Sequence, residues 1–155
     1  MSPYADTNFF TRAYLELPDS HEADRVLMAA KRGESSPLPL TWLHRIETLN
    51  AFQLHVHLAR EAGQTFVSPQ QAALAHANFR SDVQSAQFLR SVAIPVGELE
   101  KQFEELSLRH TARHGFRTYD LLHVSSALLL KCDVFCTFDL KTSKLAALEG
   151  LKVRP

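Results

Sequence analysis

Apolar residues fall along the chain in short runs of two alternating periods, and glycine, proline and capping residues mark where one period gives way to the other. A brief strand at Tyr4-Ala5 ends at Asp6, and a helical pattern follows from about Asn8. Asp19 or Ser20 can cap a second helix running to Gly33, where a left-handed C-terminal residue is expected. Pro37 and Pro39 enclose a short extended piece, and Thr41 can cap a long helix to about Arg60. Ser68-Pro69-Gln70-Gln71 reads as a capping box with proline in the first helical position, and its helix is expected to reach about Arg90. Ser91 to Val96 reads as a strand or a linker. A helix from about Glu98 to His114 stops at Gly115, and Thr118 caps the next, from Tyr119 to about Lys131. Val134-Phe135-Cys136-Thr137 is β-rich and leads into Phe138-Asp139; a last helix reaches Leu148 before Gly150, and Leu151 to Val153 can form a final strand.

Strands separated by helices need crossover connections, which predicts an α/β fold: a three-layer sandwich with a central parallel sheet flanked by helices. A chain of 155 residues with 45% hydrophobic content is expected to form one domain over residues 1–155. In such sheets ligands bind beyond the carboxyl ends of the strands. Asp6 and Asp139 each follow a strand directly, and Asp120 opens a helix that is apolar on most sides. On the helix from Thr41 to Arg60, Leu43, Glu47, Ala51, Leu54 and Leu58 share one narrow arc, so a single charge interrupts an apolar stripe. Burying a lone carboxylate costs several kcal/mol unless a partner or a metal compensates. Each of the other three acids also has a plainer role, Asp6 and Asp139 as helix caps and Asp120 as a first-turn acid. Taken together, four acids at one predicted edge point to a shared metal-binding cluster.

The residues around these acids resemble a known family. Asp6-Thr7-Asn8 after a short strand, Ile46-Glu47-Thr48-Leu49 on a helix, the run from Tyr119-Asp120 to Ala127, and Thr137-Phe138-Asp139 before a helix are similar to the four motifs of the PIN-domain family. The spacings of 41, 73 and 19 residues suit that order, and the chain length resembles that of the VapC-type toxins of bacterial toxin–antitoxin pairs. The resemblance implies an endoribonuclease dependent on Mg²⁺ or Mn²⁺, restrained by a cognate antitoxin and usually homodimeric. It implies Asp6, Glu47, Asp120 and Asp139 as the catalytic and metal-binding quartet, supported by hydrogen bonds from Thr7 and Thr137. A PIN-like scaffold that binds RNA or protein without cleavage, and a housekeeping PIN nuclease, remain as alternatives. Ser2-Pro3 departs from the apolar start usual for the first strand, so that strand is expected to be short or to begin at Pro3.

Seventeen basic and seventeen acidic residues exclude a global field that would draw the protein to nucleic acid, so an RNA site must be a local patch. Arg109 with Arg113 and His110 with His114 are each four apart, and Arg117 follows in the approach to Asp120. Arg113 and Arg117 are the expected phosphate contacts, with a solvated helix face as the plainer reading of Arg109 and His110. Lys141 and Lys144 flank Asp139 and can contribute. His44 with Glu47 and Asp120 with His123 have the i, i+3 spacing of metal-ligand pairs, but four acids favour a hard cation over zinc, and His123 reads as a packed helix residue. Trp42 and the phenylalanines are expected in the core, and Cys132 and Cys136 as reduced packing thiols. No apolar run reaches signal-peptide or membrane-spanning length, which predicts a soluble cytoplasmic protein with no membrane partner. A haloacid-dehalogenase-type phosphatase and a DEDD exonuclease want an acid at position 8, where this chain has Asn8. A receiver domain wants a lysine at a late strand end, which is missing here.

Overall fold

The computed structural model describes residues 1–63 and 67–155. Their elements run β1 (Pro3–Ala5), α1 (Thr7–Tyr14), α2 (Ser20–Lys31), β2 (Leu38–Leu40), α3 (Trp42–Glu61), α4 (Pro69–Ser85), β3 (Leu89–Ser91), α5 (Val96–His114), α6 (Thr118–Leu129), β4 (Val134–Cys136), α7 (Leu140–Leu148) and β5 (Lys152–Arg154). All ladders are parallel, in the orders β1-β4-β5 and β2-β3, with β1 lying beside β2. Asp6 N donates to Cys136 O, so the two-residue alternation of a strand turns the groups of Pro3 and Ala5 away from β4. On that side Pro3 has no N–H to give, and Ala5 O accepts from His44 Nε2 at 2.8 Å, which accounts for the break between the two ladders.

Alternation also sorts the core into two layers. Ala5, Val134 and Cys136 pack on one face of the sheet with Phe9 and Phe10 of α1, Leu27 of α2, Phe52 of α3 and Phe79 of α4. Tyr4 and Phe135 pack on the other with Leu106 of α5, Val124 of α6 and Leu145 of α7. This is the three-layer α/β sandwich that the strand and helix order predicts, a parallel sheet flanked by helices.

Four local expectations are corrected. The helix expected to reach Arg90 stops at Ser85, where Ala86 turns left-handed at φ 52, and Leu89 to Ser91 forms β3 in place of the expected strand or linker from Ser91. Left-handed backbone costs about 1–2 kcal/mol for a residue with a Cβ. Burial of Phe88 and Leu89 returns about 1.5–3 kcal/mol each, so the chain leaves the helix to reach the sheet. Beyond Leu43, the apolar arc through Glu47 is not the buried face of α3; Leu54 and Leu58 are half exposed, and the helix buries His44, Thr48, Phe52, Val56 and Ala59 instead. Glu47 therefore stands at the rim of that face. Trp42, expected in the core, is 45% exposed at the start of α3. Arg117, not Thr118, is the N-cap residue of α6.

Candidate active site

Two strands deliver carboxylates directly. Asp6 ends β1 and caps α1, its Oδ1 accepting from Phe9 N at 2.9 Å and its Oδ2 from Thr137 Oγ1 at 2.6 Å. Asp6 is buried, and loss of solvent pushes its pKa up, against the opposing pull of the His123 ring and of the Thr137 and Phe9 donors. Asp139 follows β4 and caps α7, its Oδ1 accepting from Thr142 N at 2.9 Å. Burial raises the Asp139 pKa, but the Thr142 donors and Arg117 outweigh it and leave the carboxyl below its ordinary value. The capping roles available to Asp6 and Asp139 are thus both filled, and the same side chains face a common pocket.

Two helices supply the rest. Asp120 stands in the first turn of α6, where its Oδ2 accepts from Arg117 N and Nε, both at 3.1 Å. Arg117 Nη2 lies 3.2 Å from Asp120 Oδ1 and 3.1 Å from Asp139 Oδ2, so one guanidinium bridges the two acids. Thr142 Oγ1 lies 3.0 Å from Asp120 Oδ1 and 3.1 Å from Asp139 Oδ1, spanning the same pair. Glu47 reaches in from α3, with Oε2 accepting from Thr7 Oγ1 at 2.9 Å and from His123 Nε2 at 2.6 Å. All four acids line one open pocket of about 260 Å³ at the carboxyl ends of β1 and β4, with Arg117 and His123 on its walls.

The pocket's acidic donors are all oxygen, which suits a hard divalent cation such as Mg²⁺ or Mn²⁺. Among the described residues, however, no three His, Cys, Asp or Glu side chains are grouped closely enough to hold an ion as they stand. The hydrogen bonds supply the reason. Asp120 and Asp139 are both closed on the Arg117 guanidinium.

The other residues singled out in the sequence take the following places. Arg117 sits on two of the acids rather than standing free for substrate, and Arg113 is exposed on α5 outside the pocket lining. Arg109 and His110 both bond Glu149, so that half of the basic stripe ties α5 to the end of α7. His44 does not pair with Glu47; its Nδ1 accepts from Thr41 N at 3.0 Å, its Nε2 serves Ala5 O, and burial holds its pKa well below the ordinary value. His123 faces Glu47 rather than acting with Asp120. Cys132 and Cys136 are free and buried, with burial pushing the Cys136 thiol up to about 12.

His123 and Thr142 are pocket residues that the sequence reading did not assign. Both carried a signal, since His123 stands three residues after Asp120 on α6 and Thr142 three residues after Asp139, the N-cap of α7.

No protein-family model and no curated protein matches the chain. Among solved structures, the chain is similar to Mycobacterium tuberculosis VapC20, a sarcin–ricin loop cleaving toxin, at TM-score 0.65 and 18% identity, covering 99% of this chain and 100% of that one. It is also similar to FitAcB from Neisseria gonorrhoeae, at TM-score 0.57 and 14% identity, covering 99% of this chain and 96% of that one. At such identities the likeness is one of fold, and it agrees with the acidic motifs: the chain has the PIN-like α/β fold.

Proposed function

We propose that this protein is a metal-dependent endoribonuclease acting as the toxin of a toxin–antitoxin pair, with Asp6, Glu47, Asp120 and Asp139 as its catalytic acids. The observation that carries the reading is the convergence of four carboxylates from four separate elements on one pocket at the strand ends. The toxin described for the similar M. tuberculosis fold supports it, and makes a sarcin–ricin-type RNA hairpin the first substrate to try. A toxin requires a restraining antitoxin, and a homodimer is the assembly the family resemblance implies.

Mg²⁺ or Mn²⁺, held by these acids, would supply Lewis acidity and a bound water of lowered pKa for attack on phosphorus. The protein's own contribution is positional. Thr137 orients Asp6, Thr142 spans Asp120 and Asp139, and Thr7 orients Glu47. Arg117, 62% exposed at the pocket, would exchange its two carboxylates for a backbone phosphate, and exposed Arg113 would extend that contact along the RNA.

One observation favours a second reading: with Arg117 in place the acids are already neutralised in part, as a binding scaffold without cleavage would need. The discriminating experiment incubates the purified chain with structured RNAs in Mg²⁺ or Mn²⁺, and follows growth on expression. Wild type is expected to cleave and to arrest growth, with both effects lost in Asp120→Asn and the arrest relieved by the antitoxin. RNA that is bound but never cut under either metal would establish the scaffold.

A further inference from the structure

His123 and His44 are both buried, and their rings lie 5.0 Å apart, yet their nitrogens are used differently. His44 spends both on backbone groups, as an ordinary core histidine does. His123 spends Nε2 on the pocket acid Glu47 and Nδ1 on the phenol of Tyr4, at 2.6 and 2.9 Å. Glu47 as a carboxylate can only accept, so Nε2 must carry the hydrogen, an assignment made from the partners. Tyr4 is wholly buried and stacks on Phe135, and because Nε2 carries the ring hydrogen, Nδ1 accepts from the Tyr4 hydroxyl. The ring is thereby fixed at both nitrogens.

The consequence falls on Glu47. Its Oε2 takes both His123 and Thr7, while Oε1 has no hydrogen bond among the described residues, and the side chain lines the pocket. We infer that His123, together with Thr7, is a positioning residue that clamps Glu47 by Oε2 and presents Oε1 to a cation in the pocket. The inference rests on the metal-dependent reading above. A long carboxylate at a helix rim samples several rotamers when free; held by one oxygen it offers the other in a single place, and outer partners of this kind commonly change metal affinity 10–100-fold when removed.

The test measures Mn²⁺ binding alone, by calorimetry on the full chain, for wild type, His123→Leu and His123→Gln, with thermal melts alongside. Leu keeps apolar volume but has no donor, whereas Gln restores an N–H toward Glu47. The expected result is a Mn²⁺ Kd about 10-fold weaker or more in His123→Leu, largely recovered in His123→Gln. Thr7→Val and Thr7→Ser form a second pair away from the buried ring, expected to lose and to keep affinity, should His123→Leu fail to fold. Wild-type affinity in folded His123→Leu, or in Thr7→Val where that pair decides, overturns the inference, as does a stable His123→Gln that recovers nothing. Absence of Mn²⁺ binding in wild type would remove this inference and the metal-dependent reading together; equal binding in all variants would remove this inference alone.

Discussion

Arg117 carries the largest consequence of any single side chain for the state of the pocket. Its guanidinium contacts both Asp120 and Asp139, and those acids raise its own pKa through hydrogen bonds and charge. A resident cation of this kind opposes a metal ion in the same place. Arg117→Gln is therefore expected to lower the stability of the metal-free protein modestly, by no more than about 1 kcal/mol because the side chain is largely exposed. The same variant is expected to enlarge the rise in melting temperature on adding Mn²⁺, since the competitor is gone. An ordinary structural arginine would lower stability and leave the metal response alone, so equal Mn²⁺ shifts in the two proteins would show that the guanidinium does not compete.

At the scale of elements, the pocket depends on how α5, α6 and α7 hold together beside β4. Glu149 is the C-cap residue of α7, a place where negative charge meets the unfavourable end of the helix dipole. Arg109 and His110 of α5 offset this by bonding its carboxylate. Burial raises the Glu149 pKa, but these donors outweigh it and hold the folded value below normal. A depressed carboxyl contributes stability that is complete above its unfolded pKa of about 4.3 and is lost as pH falls through the folded value. Glu149→Gln is thus expected to be less stable than wild type at pH 7, by about 1 kcal/mol or less, with the gap closing below about pH 4. A gap that persists unchanged at pH 3 would mean the ion pairs do not hold α5 to α7.

For the whole molecule, the pocket lies where the two helical layers meet the sheet's carboxyl edge. Glu47 arrives from the α1–α4 layer, Asp120 from the α5–α7 layer, and Asp6 and Asp139 from the strands between. A ligand that binds only this assembled arrangement stabilises the whole fold, by about 2.7 kcal/mol at a concentration of 100 Kd. Asp6→Asn separates the two effects. Asn still caps α1 and removes a buried charge that burial disfavours, so metal-free stability at pH 7.5 is expected to equal or exceed wild type. The Mn²⁺-induced rise in melting temperature is expected to disappear. A full Mn²⁺ shift in Asp6→Asn would place the ion elsewhere. Among the described residues no helix is long and apolar enough to cross a membrane.

Locally encoded features were legible in the chain itself. The order of strands and helices, the capping box at Ser68, and the placing of Asp6 and Asp139 at strand ends follow from periodicity and from backbone groups that need a partner within three or four residues. The outward phase of α3 was not legible, because a 3.6-residue period defines arcs on a helix and does not say which arc meets the core. The end of α4 at Ser85 was decided by the burial of Phe88 and Leu89, a tertiary gain that outweighs local helix preference. The partner of His123 was hidden most deeply: Glu47 lies 76 residues away, on a different helix, and only the fold brings the two side chains together. Side chains with donors and acceptors on separate elements have no sequence period to announce them, so the acids could be read as a set while the hydrogen bonds that orient them required the fold.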